Sequence, residues 1–290
     1  MKVKLLSFII ILCALFLNCK KENEIAVNGS GTTPNPKPVA AVYGSRTVSF
    51  NQVDGVYSSD AAMADFGNVD TPFNAFGNGT ISENALKIRI PKNTMSDTDP
   101  APLGDGLRYN VDIEDGEEYE LSFKVKFDAN FKWSRGGKIG PGLVIGKGLS
   151  GCKPVINDGA SARFMWYGTG NNTKETNVVY FQPYLYFADQ TSDCGTTFSK
   201  KSVNLQKNKW YTLYMRVKAN TGDNKDGAIV MKVDGVELYS NTSFRWTKTT
   251  SSDRLVKKMS FNVFRGGSSE NWVSSTDDDV YFDDIKWTKL

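Results

Sequence analysis

From Asn84 onward, apolar and polar side chains alternate along much of this chain with a period of two residues. The segments Asn84 to Ile90, Gly106 to Asp112 and Tyr119 to Phe127 all alternate; in the last, Tyr119, Leu121, Phe123, Val125 and Phe127 share one side. Successive side chains of a strand point to opposite faces, so these runs predict strands with one face in a core. Further runs lie at Trp210 to Ala219, Met259 to Phe264 and Val280 to Trp287, and the run from Ala228 to Tyr239 turns back on itself at Asp234-Gly235. Few helical periodicities interrupt them. Short alternating runs broken by Gly, Asn and Asp predict an all-β sandwich or barrel in a single domain from about Arg46 to Leu290.

The stretch Ser161 to Tyr186 reads as a β-hairpin, two alternating arms around a polar turn rich in Gly and Asn. Its first arm places Ser161, Arg163, Met165 and Tyr167 on one face, and Ala162, Phe164 and Trp166 on the other. Its second arm places Tyr180, Gln182, Tyr184 and Tyr186 together, opposite Phe181, Pro183, Leu185 and Phe187. With the apolar faces in the core, a guanidinium, a serine hydroxyl and several phenols are left on neighbouring strands. Upstream, Phe131 to Gly146 holds glycines, one proline and Lys138, a composition that predicts a loop rather than a strand interior. No helical pattern follows it, so a phosphate-binding glycine loop is not supported.

The chain of 290 residues is long enough for one large domain with a full core. It contains no histidine, which removes the commonest general base and the commonest metal ligand together. Any catalysis must rest on Tyr, Lys, Arg or carboxylates. At its start, Lys2 and Lys4 precede an apolar run from Leu5 to Leu17, too short to span a bilayer comfortably, which predicts an export signal over residues 1–18. The LFLNC ending resembles a bacterial lipobox, with Cys19 as the lipidated first residue of the mature chain and Asn18 where a smaller residue is usual. Residues 19–45 then form a tether rich in Gly, Ser, Thr and Pro. Loss of Lys2 and Lys4 lowers the net charge from +3 to +1, so attraction to a polyanion must be local. With Cys13 in the signal and Cys19 in the lipobox, Cys152 and Cys194 remain as the pair available for a disulfide bracketing the hairpin.

GGKIGPGL with Lys138, SARFMW with Ser161 and Arg163, YLY at Tyr184 to Tyr186, FRGGSSENW with Arg265 and the closing YFDDIKW resemble polysaccharide lyase family 14, in order from about Phe131 to the C-terminus. The resemblance implies a β-jelly roll, a two-sheet antiparallel sandwich, that cleaves alginate or glucuronan by β-elimination. Lys138, Ser161, Arg163, Tyr184 and Tyr186 match the family's functional positions. Gly140 is an extra residue beside the lysine, and the hairpin turn is longer than the family norm, which leaves Tyr180 as a rival for one tyrosine position. Gln182, Tyr180, Trp166 and Arg265 are the expected substrate contacts. No cofactor, metal or nucleic acid is expected; the expected partners are an acidic polysaccharide and, through the lipid anchor, a membrane. The expected form is a monomeric lipoprotein at the outer membrane or cell surface.

The chemistry is coherent on these residues alone. In β-elimination from a uronate the C5 proton leaves while the carboxylate is neutralised, and the C4 oxygen departs with a proton. Arg163 suits the carboxylate, Lys138 adds a second charge, and a phenol can serve as base and acid once nearby cations favour its ionised form. Ser161 lacks an activating partner for nucleophilic attack and is expected to position substrate. The acidic runs Glu114 to Glu118 and Asp277 to Asp279 read as solvated strand ends rather than as a glycosidase pair. A noncatalytic carbohydrate-binding jelly roll is the alternative.

Overall fold

The computed structural model describes residues 41–69, 78–96, 106–168, 178–198 and 204–290. The export signal, Cys19 and most of the tether lie outside these residues, as does the tip of the hairpin. In chain order the first strands are β1 Ser45–Val48, β2 Gly55–Val56, β3 Gly79–Ser82, β4 Ala85–Ile90, β5 Leu107–Gly116 and β6 Glu118–Phe127. Next come β7 Gly136–Lys138, β8 Pro141–Gly146, β9 Gly159–Gly168 and β10 Val179–Tyr186. The last are β11 Trp210–Lys218, β12 Gly227–Val233, β13 Val236–Phe244, β14 Val256–Arg265 and β15 Asp278–Lys289.

The strands form two antiparallel sheets. One has nine strands in the order β13-β12-β11-β6-β15-β4-β3-β2, with β1 also on β15. The other has six, β10-β9-β7-β14-β5, with β8 also bridging β9 and β14. Between them lies one apolar core. The strictly alternating residues of β6 enter it from one side, and Phe164, Trp166, Phe181, Leu185 and Phe261 enter from the other. Phe123 meets Phe164 edge-on at 6.2 Å, and Phe127 meets Trp166 at 5.8 Å. Burying each such ring stabilises the sandwich by roughly 1.5–3 kcal/mol.

The glycine-rich segment expected as a loop forms β7 and β8 instead, and its glycines stand where close packing leaves no space for a side chain. A Cβ on Gly137 would meet the Trp166 ring at 2.1 Å, and one on Gly142 would meet Arg163 Cγ at 2.6 Å. Glycine lets these strands pass beneath large neighbours. The extra residue Gly140 joins β7 to β8 at φ +73°, a left-handed conformation that favours glycine. One short helix, Ser59–Phe66, was not signalled by periodicity; Ser58 caps it, and Phe66 stacks on Trp287 in the core. Asp278, expected on a solvated strand end, is 3% exposed.

Candidate active site

The hairpin arms pair in the register that brings their polar faces together: Ser161 with Tyr186, Arg163 with Tyr184, Met165 with Gln182 and Tyr167 with Tyr180. These residues lie on the face of the six-stranded sheet turned away from the core, since their alternates Ala162, Phe164 and Trp166 belong to the core cluster. From the other flank of β9, β7 sets Lys138 opposite Met165. Although β9 alternates, it is buried on both faces, with Tyr167 alone partly exposed.

Lys138, Arg163, Tyr184 and Tyr186 converge. The Lys138 Nζ lies 3.6 Å from the Tyr184 ring centre, and the Arg163 guanidinium carbon lies 5.6 and 5.3 Å from the rings of Tyr184 and Tyr186. The two phenol oxygens are 3.4 Å apart. Arg163 is 7% exposed, and its Nε and Nη2 are buried without a hydrogen-bond partner. Unpaired N–H groups on a buried cation are costly, and a bidentate carboxylate is the group whose geometry satisfies them.

Electrostatics alter the roles expected of these groups. Burial, reinforced by the charges of Arg163 and Arg108, pulls the Lys138 amine down to about 7. Burial pushes the Tyr184 phenol up, as do its hydrogen bond to Tyr186 and the charge Tyr186 would carry; Arg163 opposes the shift without reversing it. The expectation that cations would ease Tyr184 toward phenolate is therefore corrected: desolvation outweighs them.

The remaining expected residues are spread more widely. Ser161 lines the adjoining groove, but its hydroxyl donates to the Leu149 carbonyl at 2.7 Å and so ties down the groove wall. Gln182 is buried with its amide nitrogen 3.1 Å from the Met165 sulfur. Tyr180 packs against Tyr167, whose hydroxyl accepts from Arg135. Two expected substrate contacts are corrected. Trp166 is fully buried in the core and donates to the Trp133 carbonyl. Arg265 is equally buried and ion-paired with Asp278, which also accepts from the Lys132 amide at 2.9 Å. Neither presents a surface to a polymer. The bridge between Cys152 and Cys194 is present.

Beside the converging residues runs a groove of about 900 Å³ that also contacts Arg108, Lys147, Lys153 and Lys258. Lys147 is paired with Asp158, which is outside the groove lining. Among the described residues the lining carries cations and no carboxylate, which supplies the local attraction that the net charge does not. Sequence reading missed this flank. Its signal was the polar half of the alternation in β5 and β14, where Arg108 and Asn110 lie on the same side as Ser260 and Asn262. Among the described residues, no cluster of His, Cys, Asp and Glu could hold a metal ion.

Comparison with known proteins gives this geometry a context. The chain aligns with 36% identity and a TM-score of 0.78 to a solved structure of alginate lyase Aly36B, with one lysine and one tyrosine replaced by alanine, in complex with alginate tetrasaccharide; 86% of this chain and 98% of that one are covered. The PL-14 alginate lyase of Aplysia kurodai shares the fold at a TM-score of 0.66 and 19% identity, covering 87% of this chain and 100% of that one. Exolysin of Paramecium bursaria Chlorella virus 1 is 30% identical over 221 residues, 67% of this chain, and the alignment spans only 32% of that protein's length. The family model described as polysaccharide lyase 14 matches residues 78–285, and the chain belongs to that family.

Proposed function

We propose that this protein cleaves alginate by β-elimination, with Arg163 holding a uronate carboxylate, Lys138 taking the C5 proton and a tyrosine hydroxyl protonating the departing C4 oxygen. The observation that carries the reading is the pair of unpartnered, buried N–H groups of Arg163 beside an amine that titrates near 7. Bidentate pairing there stabilises the enolate-like charge that grows as C5 loses its proton. Near neutral pH a large fraction of Lys138 is the free amine, so it can accept that proton without a prior ionisation cost, whereas Tyr184 stays protonated and suited to donate. The C5–H and C4–O bonds break, a C4=C5 double bond forms, and one fragment carries the unsaturated uronate. The alginate complex formed by the 36% identical relative supports alginate as the polymer.

Incubation of the purified protein with alginate, glucuronan and hyaluronan, read by ultraviolet absorbance of the unsaturated product, tests this. Product from alginate is expected; sugar binding without absorbance on any polymer would leave the noncatalytic module as the better description. The sequence of the first residues further supports an exported protein, acylated at Cys19 and carried on its tether at the outer membrane or cell surface.

A further inference from the structure

The disulfide between Cys152 and Cys194 joins two loops that lie against the site's tyrosines. One loop brings a backbone amide to a phenol: the Cys152 N–H donates to the Tyr186 hydroxyl at 3.2 Å. The other brings Gly195, the residue after Cys194, against both rings, where a Cβ would meet carbons of Tyr184 and Tyr186 at 2.7 Å. Cys152 adopts φ +52°, a conformation unfavourable for a residue with a side chain, so the amide's placement depends on what holds the loop. Both cysteines are exposed on the outer side of these loops.

We infer that the disulfide is a positioning device for the reaction: it fixes the Cys152 amide on the Tyr186 oxygen and holds Gly195 against the rings of Tyr184 and Tyr186. When this pair of phenols, whose oxygens lie 3.4 Å apart, gives a proton to the leaving C4 oxygen, an N–H donor already stands beside the negative charge that develops. Donors placed in advance where charge appears lower a barrier because nothing must reorganise during the step. This rests on the lyase reading above, and it assigns the bridge a role in turnover distinct from the chain entropy it removes from the unfolded state.

The test reduces the bridge in the folded, full-length wild-type protein with a soluble phosphine, confirms by mass spectrometry that the Cys152 and Cys194 thiols are free and by circular dichroism that the fold is intact, and measures kcat and KM on alginate. The expected result is a fall in kcat of roughly tenfold or more, KM within about twofold, and recovery on reoxidation. Unchanged kcat with the bridge open overturns the inference. Should reduction unfold the chain, the Gly195→Ala variant decides: it keeps the bridge but forces the loop and the two rings apart, so wild-type kcat overturns the inference and lost kcat at constant KM supports it. A wild-type protein that yields no unsaturated product from any uronate polymer overturns the lyase reading and this inference with it.

Discussion

Lys138 Nζ stands 3.6 Å from the centre of the Tyr184 ring, so the amine faces the electron-rich side of that phenol. A ring face attracts a protonated amine. Burial and two neighbouring guanidiniums act the other way and prevail, leaving an amine near 7 next to a phenol raised above its usual value. At neutral pH the amine can lack a proton while the phenol keeps one. That arrangement suits an elimination in which one group must accept and another donate.

The first consequence concerns pH. In the proposed reaction the free amine of Lys138 is the active form, so kcat/KM on alginate should rise tenfold per pH unit on the acid side and level off above about 7. Initial rates from mildly acidic to mildly alkaline pH check this. A rise that begins only in the range of a free phenol would transfer the base role to a tyrosine.

Lys138 should also cost stability. Its folded value lies below its unfolded value, so between the two the unfolded chain binds more protons, and stability rises with pH from about 7 toward 10.5. Below the folded value the full penalty applies. Lys138→Met should therefore abolish turnover yet stabilise the protein near pH 6 by roughly 2 kcal/mol or more, read by denaturant unfolding, with the gain shrinking as pH rises.

Arg163→Ala should lower kcat by about 10²–10³, since one missing electrostatic donor costs about 3–4 kcal/mol in the transition state. Arg163→Lys should recover little, because a single ammonium cannot supply two parallel N–H groups. Rates of product formation at saturating alginate measure both. Near wild-type turnover in Arg163→Lys would mean that charge alone suffices.

Among the tyrosines, Tyr184→Phe and Tyr186→Phe keep the ring and remove the hydroxyl, so the fold should persist while at least one loses most of its turnover. Tyr180→Phe should retain most activity, because Tyr180 pairs with Tyr167 rather than with Arg163. Loss in Tyr180→Phe with retention in both others would move the acid to the far end of the hairpin.

At the N-terminus, Cys19→Ser should release the protein from the membrane fraction and remove the mass of the acyl chains. A wild-type mature N-terminus beyond Cys19 with no lipid would decide against the anchor.

Much of the site was legible in the hairpin, because a period of two leaves little freedom: once Phe164 and Trp166 face the core, Arg163 and Tyr184 must face away. Trp166 was misjudged although the same alternation puts it on the core face, because an aromatic ring suits sugar stacking and core packing equally; Gly137 packs directly against it. Arg265 looked available because its partner Asp278 lies in a different run of the chain, and an isolated guanidinium in sequence shows no such pairing. The titration of Lys138 was hidden for a related reason. Its neighbours, Arg163 and Arg108, come from strands far apart in the chain, and its burial depends on how they pack together.

The groups proposed to react ride on paired strands, whereas Lys153, Pro154 and Ile156 line the groove from a loop. A one-residue slip in β9 or β10 would turn Arg163, Tyr184 and Tyr186 into the core, so inheritance must hold those strands nearly fixed. Loops tolerate substitution and insertion at little cost. Descendants of this chain can thus acquire a taste for a different uronate by rewriting a few loop residues, while the proton transfers that break the polymer pass on unaltered.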